Sequence, residues 1–371
     1  MSACDDCLRR TWLIGRLAGA IELARHEKRV LRALLALPDD ALLDALGARA
    51  APELRAERGR PDPARMREAA AAADLAAVCR HDDAYPARLG DLADPPSVLF
   101  VAATGDAVAR LVRLAGGDLD RGPVAVSIVG TRRASADGTE TARGLGRGLS
   151  AAGIGVVSGM ALGVDSAAHA GALDGPTPTV AVLAGGANVP YPASKRSLYA
   201  RIVERGCVVS EMPPGFTPFK WCFPARNRTI AALAQMTVVV EAAERSGSLI
   251  TAEVAADLGR DIGAVPGPVT SWRAKGANAL LRDGATLIRD ARDVLDGVVG
   301  VEAPAAADPA AGLEPRLASL LRAVAGGRDT LAALAGAPDQ AQSTLAALTE
   351  LELAGRLRRV PGGRYVVVPP W

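Results

Sequence analysis

Lysine and aromatic residues are scarce in this 371-residue chain. Aromatic residues make up 3% of it, and the only lysines are Lys28, Lys195, Lys220 and Lys275. The excess of Ala, Gly and Arg indicates a bias in genome composition, so we assign it no function. The 43 basic residues nearly balance the 41 acidic ones, which gives a formal net charge of +2. This balance excludes a strong global attraction for polyanions, so a polyanion site requires local clustering of arginines.

Long apolar runs are also missing. None approaches the roughly 18 to 20 residues that cross a bilayer. The first residues combine acidic side chains with early arginines and lack the apolar core of a signal peptide. We therefore expect a cytoplasmic protein with no membrane partner.

Cysteine is limited to five positions, which we expect to be thiols without a disulfide framework. Cys207 and Cys222 are interpreted as core or half-buried thiols. The two-residue spacer of Cys4 and Cys7 matches half of a tetrahedral zinc site, and Cys79 with His81 would supply the other half, although a one-residue spacer is less usual. The alternative is that these are ordinary reduced cysteines. Apart from this structural zinc, we expect no cofactor.

Apolar periodicity divides the chain into four segments. Residues 1–75 carry Leu and Ala at helical spacing and predict a small helical domain. Residues 76–300 alternate short β-rich runs with amphipathic stretches, which predicts a mostly parallel sheet with helices on both faces. Ligands of such sheets bind beyond the carboxyl ends of the strands. Residues 301–312 are rich in Ala and Pro and are interpreted as a flexible linker.

Seven strands are predicted in the central region, each followed by a turn with Gly, Ser or Pro. They are 124–129, 155–158, 179–184, 207–210, 237–241, 261–265 and 286–288.

Residues 313–371 predict three helices followed by a hairpin, the order of a winged helix. Four arginines lie on the predicted wing: Arg356, Arg358, Arg359 and Arg364. The predicted recognition helix from Gln340 carries Ala and Leu where base-reading side chains are needed. Protein contacts are therefore at least as well supported as groove reading.

The chemistry-bearing residues cluster at the predicted strand ends. The segment from Gly130 to Ser135 follows the first of these strands. Gly130 lets the backbone approach an oxyanion closely, Arg132 or Arg133 can bind phosphate, and the Ser135 hydroxyl can donate a hydrogen bond. Asp165 is predicted to cap the helix that holds His169, and His169 is interpreted as a packed, hydrogen-bonded group.

The segment from Phe223 to Ala231 adds arginines and an aromatic at the start of a helix that Asn227 is expected to cap. Lys220 precedes it, Lys195 and Arg196 follow the Tyr191 turn, and Ser246 to Ser248 form a hydroxyl-rich loop. So many cations along one sheet edge favour an extended polyanion over a single phosphate. With Phe223, Trp221 and Tyr191 as stacking platforms, the combination is typical of single-stranded nucleic acid binding.

These motifs, in this order, resemble the DprA/Smf DNA-processing family over about residues 85–295. The matching segments are 128–132, 158–169, 191–192, 210–211, 223–228 and 245–252. The resemblance implies a Rossmann-like domain between a SAM-like helical head and a winged-helix tail. It further implies a homodimer that binds single-stranded DNA and loads RecA recombinase during natural transformation, on strands coated with single-strand-binding protein.

Family roles are carried over position by position. Arg132 falls on an arginine near DNA, Lys220 on a lysine that grips the backbone, and Phe223 on an aromatic near a base. Ala193 stands where relatives often have lysine and Leu162 where they often have arginine, so Lys195 or Arg196 has to take the first role. The candidate DNA-binding residues are Gly130, Arg132, Arg133, Ser135, Lys195, Arg196, Lys220, Phe223, Arg226, Asn227, Arg228, Ser246, Gly247 and Ser248.

We expect no catalysis. Two rival hypotheses place the chain in other classes of protein, an enzyme and a transcriptional regulator. The sheet also resembles nucleotide-monophosphate phosphoribohydrolases, for which Glu253 stands at the right spacing from Arg245. Ser246, Leu249 and Ile250 replace residues of that enzyme motif and put bulk where a phosphate should approach the backbone. The second rival is a transcriptional regulator that acts through the winged helix.

Overall fold

The computed structural model describes residues 3–26, 31–46, 62–116, 123–300, 310, 312–325, 328–360 and 363–368. The chain divides into two compact units, Met1–Glu302 and Ala303–Trp371. The finer boundary at residue 75 stays a prediction. The expected linker, 301–312, lies almost entirely outside the described residues. Among the helices described, none is long and apolar enough to cross a membrane.

The first unit begins with short helices, of which the first four contribute to one core while the fifth packs in a neighbouring one. They are α1 (Asp5–Arg16), α2 (Ala18–His26), α3 (Leu31–Ala36), α4 (Asp39–Leu46) and α5 (Pro63–Ala72). Acidic residues open α1 and Arg16 closes it, as the helix dipole favours. Leu17, Ile21 and Leu42 are fully buried and pack in one cluster with Trp221.

A nine-stranded sheet follows, built from strands of two to five residues. They are β1 (Ala76–Cys79), β2 (Val98–Ala102), β3 (Ala125–Val129), β4 (Gly155–Ser158), β5 (Thr179–Val182), β6 (Cys207–Ser210), β7 (Met236–Val239), β8 (Asp261–Ala264) and β9 (Thr286–Leu287). Their order is β1-β2-β6-β5-β4-β3-β7-β8-β9. The pairs from β6 through β9 are parallel, whereas β1 pairs with β2 and β2 with β6 in the antiparallel sense.

The predicted mostly parallel sheet is therefore confirmed, and each of the seven predicted strands is present within two residues of its predicted ends. β1 and β2 were not predicted. Their antiparallel pairing to one edge of the sheet depends on contacts distant in sequence.

Eight further helices among the described residues of this unit complete the layers. They are α6 (Ala107–Ala115), α7 (Ala136–Ala151), α8 (Val164–Leu173), α9 (Arg196–Arg205), α10 (Cys222–Ala232), α11 (Gly247–Asp257), α12 (Lys275–Arg282) and α13 (Ala291–Val298). Every residue of the five central strands, from β6 through β7, is buried, as expected for parallel strands covered on both faces.

The second unit has the predicted winged-helix order. Its elements are α14 (Pro315–Ala325), α15 (Leu331–Ala335), α16 (Ala341–Leu353), β10 (Leu357–Val360) and β11 (Arg364–Val367). Leu321, Leu348 and Tyr365 form its core. α16 contains no Arg or Lys, and Leu345 and Leu353 are exposed on it. This surface does not suit duplex DNA, where phosphate contacts supply most of the affinity.

Candidate nucleic-acid interface

An open cleft of about 510 Å³ lies at the carboxyl ends of β3 and β7. These strands are neighbours, and the chain leaves β3 toward β4 on one side but continues from β7 to β8 on the other. Such a switch point leaves a crevice beyond the strand ends. We call it the switch-point cleft. Its walls are segment 129–133, Ala161, Asp165, parts of segments 223–230 and 243–251, and Trp272.

One wall combines a cation with aromatic rings. The guanidinium carbon of Arg132 lies 5.3 Å from the Phe223 ring centroid, and the Tyr191 ring lies 5.4 Å from that of Phe223 at 51°. Arg132 and Tyr191 are exposed, and Phe223 is half-buried. A second pocket of about 110 Å³ shares Arg132, Phe223, Ala161 and Arg226 and adds Tyr191 to its lining. The two hollows thus share a wall that offers positive charge and flat apolar faces together.

Another wall is the N-terminus of α11. Ser246 caps the helix by accepting a hydrogen bond from the Ser248 amide, and its hydroxyl lies 2.7 Å from that of Ser248. Ser246, Gly247 and Ser248 all line the cleft. Amides at a helix N-terminus and the positive end of its dipole attract anions.

Asn227 corrects the expectation of a helix cap. α10 begins at Cys222, so Asn227 lies in its middle, and its Nδ2 donates to the Gly247 carbonyl oxygen at 3.0 Å. This bond ties α10 to the start of α11. Asn227 therefore holds two walls of the cleft together.

Arg226 is buried beneath the cleft and clamps two strands. Its Nη1 donates to the Gly159 carbonyl oxygen at 2.7 Å and to that of Val182, so it joins the ends of β4 and β5. A Cβ on Gly159 would lie 2.2 Å from Nη1, which explains the glycine. Burial lowers the pKa of Arg226 to about 10, while Asp165 opposes the shift. The group therefore remains cationic at neutral pH, and its Nε has no partner among the described residues.

Arg228 was expected at the DNA surface, and the structure corrects this. Its side chain is 4% exposed, and its Nη1 and Nη2 donate to Glu211 Oε1 and Oε2 at 2.7 and 2.8 Å. The Asp94 carbonyl oxygen accepts a hydrogen bond from Arg228 Nε at 3.2 Å, and the Asp94 carboxylate oxygen Oδ2 lies 2.8 Å from the same nitrogen. Burial opposes the charge, but Glu211 and Asp94 outweigh it and raise the pKa of Arg228. Arg228 is therefore absent from the cleft walls, to which Arg226 and Asn227 contribute.

Trp221 is likewise unavailable for stacking. It is fully buried against α2, where its Nε1 donates to the Ala18 carbonyl oxygen at 3.0 Å. Its backbone amide donates to Glu22 Oε2 at 2.9 Å. Trp221 therefore anchors the start of α10 to the helical head.

Gly130 and Ser135 are explained by internal packing. A Cβ on Gly130 would lie 2.6 Å from Val164 Cγ2 and 2.9 Å from the Glu241 carbonyl oxygen. Ser135 caps α7 by accepting from the Gly138 amide, and its hydroxyl donates to Glu241 Oε1 at 2.6 Å. The Ser135 hydroxyl is thus already engaged. This corrects the expectation that it donates to a ligand.

Asp165 does not cap α8 as expected. The helix is capped at Gly163, and Asp165, in its first turn, accepts from the Gly159 amide at 3.2 Å and the Ala161 amide at 3.4 Å. Burial raises the pKa of Asp165, partly offset by Arg226. His169 is the packed group expected, fully buried with Nδ1 2.8 Å from Thr179 Oγ1.

Lys195, Arg196 and Lys220 are at least partly exposed, but none of them lines either hollow. Lys195 ends the short 3-10 helix that follows Tyr191, and Lys220 lies three residues before Phe223. They flank the walls in sequence, and contact with a ligand there stays a prediction.

Trp272 and Arg273 were missed. Trp272 is 48% exposed and lines the cleft, and Arg273 stacks on it with its guanidinium carbon 4.7 Å from the ring centroid. Arg273 Nε donates to the Arg133 carbonyl oxygen at 2.8 Å. The sequence signal for these two residues is their position in the loop after β8, because β8 is parallel to β7 and ends at the same edge of the sheet.

Glu253, on which the phosphoribohydrolase hypothesis depends, is exposed on α11 and is absent from the cleft walls. Glu253 is therefore not positioned to act as a general base on a nucleotide in the cleft.

Away from the cleft, Cys4, Cys7, Cys79 and His81 form one cluster. Their sulfur and nitrogen atoms all lie within 4.8 Å of one another. The structure thus brings together the two halves that the sequence spacing predicted.

The family model described as "DNA recombination-mediator protein A" matches residues 76–298, more than half of the chain. The chain belongs to the DprA/Smf family. The model of the "DprA winged helix domain" matches residues 301–363.

Several relatives share the central region. A putative DNA processing protein DprA of Mycobacterium tuberculosis is 47% identical over 190 residues, which cover 51% of this chain and 49% of the relative. The chain thus spans about half the length of the mycobacterial proteins. DprA of Streptococcus pneumoniae is 38% identical over 214 residues, 58% of this chain and 71% of that protein.

Two solved structures resemble the fold. The X-ray structure of Streptococcus pneumoniae DprA has a TM-score of 0.60 at 32% identity and covers 80% of this chain and 98% of its own. A structure of Helicobacter pylori DprA, described for its single-stranded DNA binding mode, has a TM-score of 0.52 at 26% identity and covers 61% and 95%. The similarity to the Streptococcus structure supports the Rossmann-like fold over most of this chain.

Proposed function

We propose that the chain is a single-stranded DNA-binding recombination mediator whose DNA lies across the switch-point cleft. The observation that carries the proposal is the wall where Arg132 stacks on Phe223, because it presents a cation and an aromatic face to one ligand. Single-strand binding requires both, one for phosphates and one for bases. The DNA-binding mode named for the Helicobacter relative supports the same ligand.

Charge and shape favour a strand over a mononucleotide. Arg132, Arg133 and buried Arg226 outnumber Asp165 among the charged residues lining the cleft. The cleft is open and shares a wall with the pocket beside Tyr191, so a chain can continue from one into the other. The α11 N-terminus adds an anion site that does not read sequence. We therefore expect binding that tolerates any base sequence.

Family membership supports the finer assignment. In this proposal the protein acts as a homodimer in the cytoplasm, displaces single-strand-binding protein and loads RecA onto DNA taken up during natural transformation. It performs no catalysis of its own. The winged-helix unit contacts protein, because α16 offers apolar side chains and no cation.

The decisive experiment is a titration of the full chain with fluorescent single-stranded and duplex oligonucleotides at two salt concentrations. We expect preference for the single strand, similar affinity across sequences, and a steep loss of affinity as salt rises. Equal binding of duplex, or no salt dependence, would contradict the proposal. RecA loading is then measured on strands coated with single-strand-binding protein. Release of base from AMP, lost in Glu253→Gln, would instead support the phosphoribohydrolase hypothesis.

A further inference from the structure

Three thiols and one imidazole converge where the first helix meets the edge of the sheet. Cys4 and Cys7 stand at the start of α1, Cys79 ends β1, and His81 lies in the turn that follows. The two segments are separated by more than 70 residues of chain. We propose that this Cys3His cluster binds one structural zinc ion that fastens α1 to edge strand β1.

The distances fit a single tetrahedral ion. His81 Nδ1 lies 3.4 Å from Cys4 Sγ and 3.5 Å from Cys7 Sγ, and all four ligand atoms fall within 4.8 Å of one another. Two sulfurs bound at about 2.3 Å to a tetrahedral zinc are about 3.8 Å apart. The cluster therefore needs to contract by only about 1 Å.

Local backbone geometry supports the same assignment. The Cys4 amide points at Cys79 Sγ, 3.4 Å away, which is the outer hydrogen bond expected for a metal-bound thiolate. Cys4 caps α1 and Cys7 is in its first turn, where the helix dipole stabilises negative sulfur.

Burial distinguishes the cluster from surface thiols. Cys7 and Cys79 are 1% and 3% exposed and pack among Leu8, Leu75 and Phe100. His81 is exposed, which leaves an entry path from solvent. A dry sulfur-rich site with one open side suits zinc, and three thiolates with one imidazole are a ligand set of closed structural sites.

The proposed ion has a clear mechanical role. β1 is a four-residue strand at the sheet edge, paired only with β2 among the described strands. α1 continues through α2 to the Trp221 anchor of α10. Fixing α1 to β1 therefore secures the whole helical head.

The test begins with metal analysis of the full chain, purified without a histidine tag. We expect about one zinc per chain and a coincident release of zinc as an organomercurial titrates the cluster thiols. Replacement by cobalt should give thiolate-to-metal charge-transfer absorption and the strong visible bands of a tetrahedral centre.

Three single variants refine the test. Cys4→Ser should lower the zinc content severalfold and lower the melting temperature. His81→Ala removes an exposed ligand without disturbing the core, so it should weaken zinc retention against a chelator while the chain still folds. Cys207→Ala is the matched control, because it removes a buried thiol outside the cluster and should keep full zinc content. Lack of zinc and cobalt binding by the wild type, iron in place of zinc, or unchanged zinc in both ligand variants would overturn the proposal.

Discussion

Arg132 follows β3 and Phe223 lies in the first turn of α10, yet the guanidinium of Arg132 lies over the Phe223 ring with its carbon 5.3 Å from the centroid. The contact brings the loop after β3 against the start of α10. It also leaves the two components of single-strand recognition, charge and stacking surface, open to the same solvent. Their contributions to binding are separable because only one of them depends on salt.

Phe223→Ala should reduce affinity for single-stranded DNA by about 1 to 3 kcal/mol, since it removes one base-stacking platform. The dependence of affinity on salt should hardly change. Fluorescence titration measures both. Phe219→Ala is the control, because Phe219 is 40% exposed but absent from the cleft walls. Equal losses in the two variants would remove Phe223 from the binding surface.

Arg132→Gln should weaken all sequences alike and lower the slope of log affinity against log salt by about 0.7, the value for one phosphate of a single strand. Arg113→Gln, which changes an exposed residue of α6, matches the change in net charge and should leave the slope as in wild type. A common change in both variants would indicate a global effect of charge, and Arg132 would then contact no phosphate.

Arg228→Met should lower the free energy of unfolding by about 3 to 5 kcal/mol, because Glu211 and Asp94 would stay buried without their partner. Urea denaturation provides the measurement. Arg282→Met breaks only an exposed pair with its neighbour Asp283 and should change stability by less than about 1 kcal/mol. Full stability of Arg228→Met with weakened DNA binding would restore Arg228 to the interface.

His169 should make stability fall in acid. Burial and nearby Arg226 lower its pKa to about 3, from 6.5 in the unfolded chain. The unfolded state therefore takes up the proton first. The contribution of neutral His169 to the free energy of unfolding is therefore complete above about pH 6.5. Below that pH it is lost at up to about 1.4 kcal/mol per pH unit.

Urea denaturation between pH 7.5 and 5 checks this in wild type and His169→Gln. The variant should have the flatter profile, although it starts less stable because the Thr179 bond changes. The difference between the two curves removes the contributions of Asp94 and Asp165, whose raised pKa values act in the opposite direction. Parallel curves would show that His169 takes up its proton equally in both states.

The strands show what local pattern decides. β4 and β6 were predicted at both ends, because a short β-branched run closed by Gly or Ser leaves few alternatives. β1 and β2 were not predicted, because their antiparallel pairing depends on partners far along the chain. The winged helix followed from helical periodicity and a hairpin, which are also local signals.

The arginines of α10 show the limit of such reasoning. A motif names Arg226, Asn227 and Arg228 together, but successive helical residues project about 100° apart. Arg226 meets the ends of β4 and β5, Asn227 meets α11, and Arg228 meets Glu211 in the interior. Sequence spacing does not reveal which neighbour each direction finds.

The parallel sheet, the winged helix, the cation-bearing strand ends and the paired cysteine spacings are each encoded in a short stretch of residues, so the order of amino acids predicts them. Folding brings together what no short stretch encodes: Arg132 and Phe223 share a wall, Arg228 and Trp221 are buried, and four zinc-type ligands meet. Those outcomes arise from packing segments as far apart as Cys4 and His81. Close packing, and the cost of burying a charge without a partner, select them.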